Sequence, residues 1–309
     1  MRKSCAMADT NPLLAALRPG HPLRERLWQY ALLVRANRPI GALLLVWPML
    51  WCLWIAADGR PDPWVLVVFL AGTWVMRSAG CAINDFADRD FDGHVARTRQ
   101  RPLAAGRIRP IEAIGVFLAL SLVAFLLVLS MNRETVYLSF GGVALAASYP
   151  FMKRFHHLPQ VHLGAAFGWA VPMAWTAQTG AWPSPLAWLI FIAAVLWATI
   201  YDTMYAMADR EDDLKIGLKS TAILFGDADR LIIGVLQVMM MVALYLIGRD
   251  AHLGWPYALA LVVAAGMFVY QQLLIAYRVP EFCFRAFMHN NWFGFTVFAG
   301  IVLSYLLRA

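Results

Sequence analysis

Long apolar blocks, parted by short polar stretches, dominate the chain and constrain its fold more than any other feature. A bilayer-crossing helix needs about 17–25 mostly apolar residues, and nine stretches qualify as candidates: residues 40–57, 64–83, 111–130, 134–149, 161–178, 186–206, 231–248, 255–277 and 291–307. The apolar residues run in blocks and do not alternate, which is the pattern of membrane helices and not of half-buried strands. Composition agrees: 61% of the residues are hydrophobic and 15% charged, against roughly 25% charged in a soluble domain. The expectation is an all-α, polytopic membrane bundle of about nine transmembrane helices. Residues 1–37 form a polar lead on the cytoplasmic side, and residues 38–309 form a single intramembrane domain.

The net charge of +7 would raise nucleic-acid binding in a soluble protein. Here the basic residues crowd between alternate apolar blocks. Of the 26 Lys and Arg residues, 21 precede the odd-numbered spans and 4 the other loops. The positive-inside rule then puts the N-terminus and the basic loops in the cytoplasm, so no nucleic-acid partner is expected. The lead carries no signal-peptide pattern, since its first apolar stretch begins late and runs too long. The four cysteines have no metal or redox spacing and read as small core residues.

Two polar clusters follow spans 2 and 6 on that same face. The first reads Asn84-Asp85-Phe86-Ala87-Asp88-Arg89-Asp90-Phe91-Asp92. If span 2 continues as a helix, Asn84, Asp88 and Asp92 fall on one stripe at i, i+4 and i+8. Like charges at that spacing repel one another, so a cation is needed to neutralise them. The second cluster comprises Asp202 and then Asp209-Arg210-Glu211-Asp212-Asp213, with Asp202, Asp209 and Asp213 within a narrow stripe. Mg²⁺ binds through one or two carboxylates together with substrate phosphates and water. Two acidic stripes therefore suit a magnesium-bound diphosphate. The competing reading is two solvated acidic helix ends.

The basic residues divide between substrate contact and topology. Arg97 and Arg101, in the loop after the first cluster, are expected to face the phosphates, because the guanidinium fork matches phosphate oxygens. Arg107 and Arg109 are left to the positive-inside bias. Lys153, Arg154, Arg35 and Arg38 serve either a substrate anion or orientation in the membrane.

The stretch NDFADRDFDGHVARTRQRPLAAG resembles the signature of the intramembrane aromatic prenyltransferases. The segments ANRPIGALLLVWP (36–48), SYPFMKRFHHLPQVHLGAAFGW (148–169), YDTMYAMADREDDLKIGLKSTAILFG (201–226) and FVYQQ (268–272) extend the likeness. Together they resemble the bacterial 4-hydroxybenzoate polyprenyltransferases of ubiquinone biosynthesis, from about residue 27 to the C-terminus. The resemblance implies nine spans in the bacterial inner membrane and a site facing the cytoplasm. It implies that Asn84, Asp88, Asp92, Asp209 and Asp213 are ligands of magnesium and diphosphate. It also implies a polyprenyl diphosphate donor and 4-hydroxybenzoate as acceptor. Asp85 and Asp202 are both candidates for removing the ring proton, and the sequence leaves that choice open.

Two other classes compete. A cation-coupled transporter would place its carboxylates near the bilayer midplane on broken helices, whereas these clusters sit at helix ends. A membrane scaffold has no use for two matched acidic stripes.

Overall fold

The computed structural model describes residues 22–93 and 98–308. Every regular element among them is helical. The helices are α1 (Pro22–Leu33), α2 (Ile40–Ala56), α3 (Pro63–Asp92), α4 (Pro110–Val128), α5 (Arg133–Ser148), α6 (Pro159–Gly168), α7 (Ala170–Thr179), α8 (Pro185–Lys215), α9 (Thr221–Phe225), α10 (Asp229–Asp250), α11 (Trp255–Leu274) and α12 (Pro280–Leu306). A short 3₁₀ turn, Tyr149–Arg154, follows α5. Five of the later helices or turns carry proline in their first two positions, where the missing N–H would have no helical partner anyway.

Among the described residues, six segments are long and apolar enough to cross a bilayer: Pro63–Asp90, Pro110–Val128, Arg133–Arg154, Pro185–Lys215, Thr221–Asp250 and Trp255–Leu274. Ile40–Ala56 is a shorter apolar helix. The chain is thus an integral membrane protein. The fifth expected span, 161–178, is two ten-residue helices, α6 and α7. Pro172 cannot donate the helical bond to the carbonyl of Gly168, and the helix breaks at that point. The ninth expected span, 291–307, coincides with the C-terminal part of the longer α12, which ends at Leu306.

The chain divides into two compact units. One holds α1, the stretch Arg77–Leu120 and the turn before Pro39. In it, Glu112 accepts hydrogen bonds from the Arg109 backbone N–H (2.8 Å) and the Tyr30 hydroxyl (2.7 Å) and pairs with Arg26. A glutamate in the first turn thus caps its own helix and fastens α1 to it.

The other unit holds Ile40–Met76 and everything from Ser121 onward. Its core is aromatic: Trp51, Trp197 and Phe293 are almost fully buried. Their polar atoms are satisfied, Trp51 Nε1 donating to the Gly294 carbonyl (3.1 Å) and Trp197 Nε1 to Asn290 Oδ1 (2.9 Å). Buried indole N–H groups ordinarily find such partners. Small residues allow close helix approach, as in membrane bundles generally. A Cβ on Gly164 would lie 2.9 Å from the Val195 carbonyl, and one on Gly168 would lie 3.2 Å from Ala194 Cβ. This GxxxG step seats α6 against α8. The outward faces stay apolar and exposed, for example Leu118, Leu122 and Leu126 on α4, as lipid contact requires.

The helices bearing the acidic clusters are the long ones. With 30 and 31 residues, α3 and α8 each measure about 45 Å at 1.5 Å per residue. A hydrocarbon core is about 30 Å thick. Each helix is thus longer than that layer is thick, and its carboxylates lie in its C-terminal turns.

Candidate active site

The first acidic cluster stays helical to Asp92. Its carboxylates are inward: Asp85 is 0%, Asp88 4% and Asp92 6% exposed, while Arg89 and Asp90 on the same turns face outward. The buried carboxylates are spaced i, i+3 and i+7, a single stripe. Asn84 donates to Asp88 Oδ2 at 3.1 Å, so the Asn84-Asp88-Asp92 stripe is joined by Asp85.

Arginines hold this stripe. Arg35 grips Asp85 with both prongs, Nη1 to Oδ2 at 3.1 Å and Nη2 to Oδ1 at 2.6 Å. Arg101 Nη1 lies 3.3 Å from Asp85 Oδ1 and 2.8 Å from Asp92 Oδ2. Arg35 reaches this position from a left-handed backbone, φ 56°, a conformation that costs a non-glycine residue energy and recurs at functional sites. Arg77 stabilises the turn by donating to the carbonyls of Val34 (3.0 Å) and Arg38 (3.3 Å). Thr98 Oγ1 donates to the Asp92 carbonyl at 2.8 Å, and Arg101 N–H to the Thr98 carbonyl at 2.8 Å. Burial pushes the Asp92 carboxyl up from its ordinary range, and the Arg101 charge opposes that rise. Arg97 lies outside the described residues.

The second cluster ends α8. Asp202, Asp209 and Asp213 are all half-buried, and Glu211 is exposed. Arg210 turns to the fully buried Asp229 at the start of α10, and Arg278 meets the same carboxylate through Nη2 at 2.9 Å. This Arg210–Asp229–Arg278 arrangement ties the end of the acidic helix to α10 and to the connection before α12. Sequence patterns did not single out Asp229. An aspartate between apolar runs was the available signal, and its partners stand 19 and 49 positions away.

Lys153 and Arg154 lie in the 3₁₀ turn. The Lys219 N–H donates to the Lys153 carbonyl (3.2 Å) and Lys219 Nζ to the Phe155 carbonyl (3.1 Å), which fastens that turn to the loop after the second cluster. Thr221 continues the junction through Gln160 Oε1 (3.0 Å) and the Thr203 hydroxyl (2.7 Å). Lys153 is half-buried, and Arg154 and Arg38 are exposed. Cys52 and Cys283 are buried free thiols, and Cys5 lies outside the described residues.

The donor types fit magnesium: carboxylate and amide oxygens are the hard ligands it takes, in small number, with substrate phosphates and water completing the shell. Among the described residues no three His, Cys, Asp or Glu side chains converge to hold an ion by themselves. Oxygens of that type are carried by Asn84, Asp88 and Asp92 on α3 and, in the other unit, by Asp209 and Asp213 on α8.

The fold and these helix ends define a membrane-embedded helical protein with carboxylate-rich polar termini. It belongs to the UbiA prenyltransferase family, whose model matches residues 45–298. The chain is 63% identical over 282 residues to the 4-hydroxybenzoate octaprenyltransferase of Alkalilimnicola ehrlichii, covering 91% of this chain and 96% of that one. It is 57% identical over 290 residues to the protein of the same name from Saccharophagus degradans, covering 94% and 97%. Among solved structures it resembles a UbiA homolog from Aeropyrum pernix, with a TM-score of 0.74 and 25% identity over 84% of this chain and 97% of that one. A UbiA homolog from Archaeoglobus fulgidus bound to GPP and Mg²⁺ shares the fold, with a TM-score of 0.64 and 19% identity over 88% and 99%.

Proposed function

We propose that this protein transfers a polyprenyl group from polyprenyl diphosphate to 4-hydroxybenzoate, at the ring carbon ortho to the hydroxyl, as a step of ubiquinone biosynthesis. The observation that carries the reading is the 63% identity, over nearly the whole of both chains, to a 4-hydroxybenzoate octaprenyltransferase. In this reading residues 38–309 act as one prenyltransferase domain. The protein lies in the bacterial inner membrane with its acidic helix ends toward the cytoplasm.

The reaction breaks the allylic C–O bond of the donor, forms a C–C bond to the ring, and releases diphosphate and the ring proton. Asn84, Asp88, Asp92, Asp209 and Asp213 are assigned as ligands of magnesium and diphosphate. Magnesium, when bound, neutralises charge on the departing diphosphate. Arg97 and Arg101 are assigned to the same anion, where fixed positive groups act most strongly on charge that develops during the reaction. An allylic cation must be kept from water. The aromatic side chains near the second cluster are suited to excluding it. Tyr205 lies 5.0 Å from Phe287, and Tyr201 lies 5.3 Å from Trp197, ring centre to ring centre. Asp85 is already held by two arginines, so the proton is assigned to Asp202 in preference to it.

The test is turnover in reconstituted vesicles with 4-hydroxybenzoate and prenyl diphosphates of several lengths. Magnesium-dependent appearance of prenylated acid and diphosphate in equal amounts supports the reading. Prenylation of other phenols with no turnover of 4-hydroxybenzoate would overturn the acceptor. Single cysteines placed near Arg101 and Lys215 test orientation: both should be labelled from the cytoplasmic side.

A further inference from the structure

Arg210 stands between the two carboxylates of α8 assigned to magnesium, directly after Asp209 and three positions before Asp213. Residues three apart on a helix are neighbours, and an arginine and an aspartate at that spacing attract one another. Arg210 nonetheless pairs with neither. Its Nη2 turns to the Asp229 carboxylate at the start of α10 and to the Gly226 carbonyl at 3.4 Å. Its Nε is buried there with no hydrogen-bond partner among the described residues. A buried donor left unmade costs energy, so the counter-charge of Asp229 is what holds the guanidinium in that place.

Asp229 is fully buried and well supplied without Arg210. Arg278 donates its Nε to both oxygens at 3.1 Å and its Nη2 to Oδ1 at 2.9 Å. The Arg230 backbone N–H adds a bond to Oδ1 at 2.6 Å. Arg278 makes these contacts from a left-handed backbone, φ 55°, which a non-glycine residue adopts at a cost. One guanidinium thus already balances the buried carboxylate. The hold on a second one does not serve Asp229, and its consequence falls on the helix that carries Arg210.

We propose that Asp229 is a positioning residue for the metal site, drawing the Arg210 guanidinium off Asp209 and Asp213 so that it does not compete with a divalent cation for their oxygens. The inference rests on the assignment of Asp209 and Asp213 to magnesium. An arginine folded onto either carboxylate occupies the oxygens a cation needs and repels its double charge at close range. Asp229 is not itself a ligand, because both its oxygens are taken by Arg278, Arg210 and the Arg230 N–H. It acts on the site only through the arginine it holds.

The test is a titration of full-length protein in detergent with Mn²⁺ in place of magnesium, free Mn²⁺ being read by electron paramagnetic resonance without turnover. Asp229→Asn keeps the shape and removes the charge. It should raise the half-saturating Mn²⁺ concentration about two- to fivefold, the strength of one competing arginine–carboxylate pair on a helix end. Arg210→Gln alone should leave that concentration at or below the native value, and Asp229→Asn with Arg210→Gln should return it there. Where Asp229→Asn fails to fold, Asp229→Asn with Arg278→Met, read against Arg278→Met, makes the same comparison. Lower unfolding temperatures in both single variants with an unmoved Mn²⁺ titration would mean an anchor only, and would overturn the proposal. So would Arg210→Gln weakening Mn²⁺ binding as much as Asp229→Asn does, because the arginine would then help the site. Asp209→Asn separates the two readings. If it leaves Mn²⁺ binding unchanged, the magnesium assignment of the second cluster falls and the inference with it; if it weakens binding while Asp229→Asn does not, the inference alone falls.

Discussion

Arg35 and Asp85 form a two-pronged ion pair across 50 positions of sequence, with the carboxylate fully buried and the guanidinium largely so. Breaking a buried pair by removing one partner leaves a charge without compensation and costs about 3 kcal/mol or more. Arg35→Ala should therefore lower stability in detergent by about 3 kcal/mol at most, because Arg101 still touches Asp85. Arg35→Ala with Asp85→Asn should recover most of the loss. Calorimetric or denaturant unfolding of the two variants beside the native protein checks this. If Arg35 positions the acidic helix end and does not touch the acceptor, the single variant raises the KM of both substrates alike.

This pair marks the limit of what the sequence showed. The apolar runs between 40 and 306 were legible because burial in lipid demands length and hydropathy, and both are local properties. The continuation of α3 and α8 through their aspartates was legible too, since the residues keep helical spacing. The break between Gly168 and Ala170 was not anticipated, although Pro172 was visible, because packed membrane helices often tolerate proline. Arg35 read as either a contact to a substrate anion or a topology signal at the entry to span 1. Its commitment to Asp85 depends on tertiary placement, as does that of Arg210 and Arg278 to Asp229.

Removal of a carboxylate assigned to magnesium should separate catalysis from folding. Asp88→Ala and Asp209→Ala should each lower turnover at least 100-fold, about 2.7 kcal/mol of barrier. Membrane insertion and the elution profile in detergent should stay unchanged. If either variant keeps most of its activity at saturating Mg²⁺, that cluster is not a diphosphate site.

Packing at Gly294 gives a test independent of chemistry. A Cβ there would lie 2.4 Å from Trp47 Cδ1 and 2.7 Å from Trp197 Cη2. Both indoles are anchored, Trp47 to Asn291 Oδ1 and Trp197 to Asn290 Oδ1, each at 2.9 Å, so neither can retreat freely. Gly294→Ala should destabilise the protein by about 1–3 kcal/mol, the usual cost of overpacking. Thermal unfolding in detergent would show a lower midpoint. An unchanged midpoint would mean that the two indoles have room to shift.

The acceptor side of the site is separable from the donor side by kinetics. 4-Hydroxybenzoate is an anion at neutral pH, so a basic group must meet its carboxylate. Of the four basic candidates, Arg35 is engaged by Asp85. Lys153 lacks the planar fork that binds a carboxylate through two parallel bonds. Arg154 and Arg38 remain, both exposed, with the Arg154 guanidinium 5.7 Å from the Phe151 ring centre. Replacing the residue in contact by alanine should raise the apparent KM for 4-hydroxybenzoate and leave that for the prenyl diphosphate nearly unchanged. A charge-assisted bond is worth roughly 1.5–3 kcal/mol, or about 10–150-fold, and the exposure of both side chains places the expected rise near tenfold. Steady-state kinetics with each substrate varied in turn distinguish the two arginines, because only one variant should show the split. If both variants raise the two KM values equally, the acceptor carboxylate is bound elsewhere, and the half-buried Lys153 is the next residue to replace.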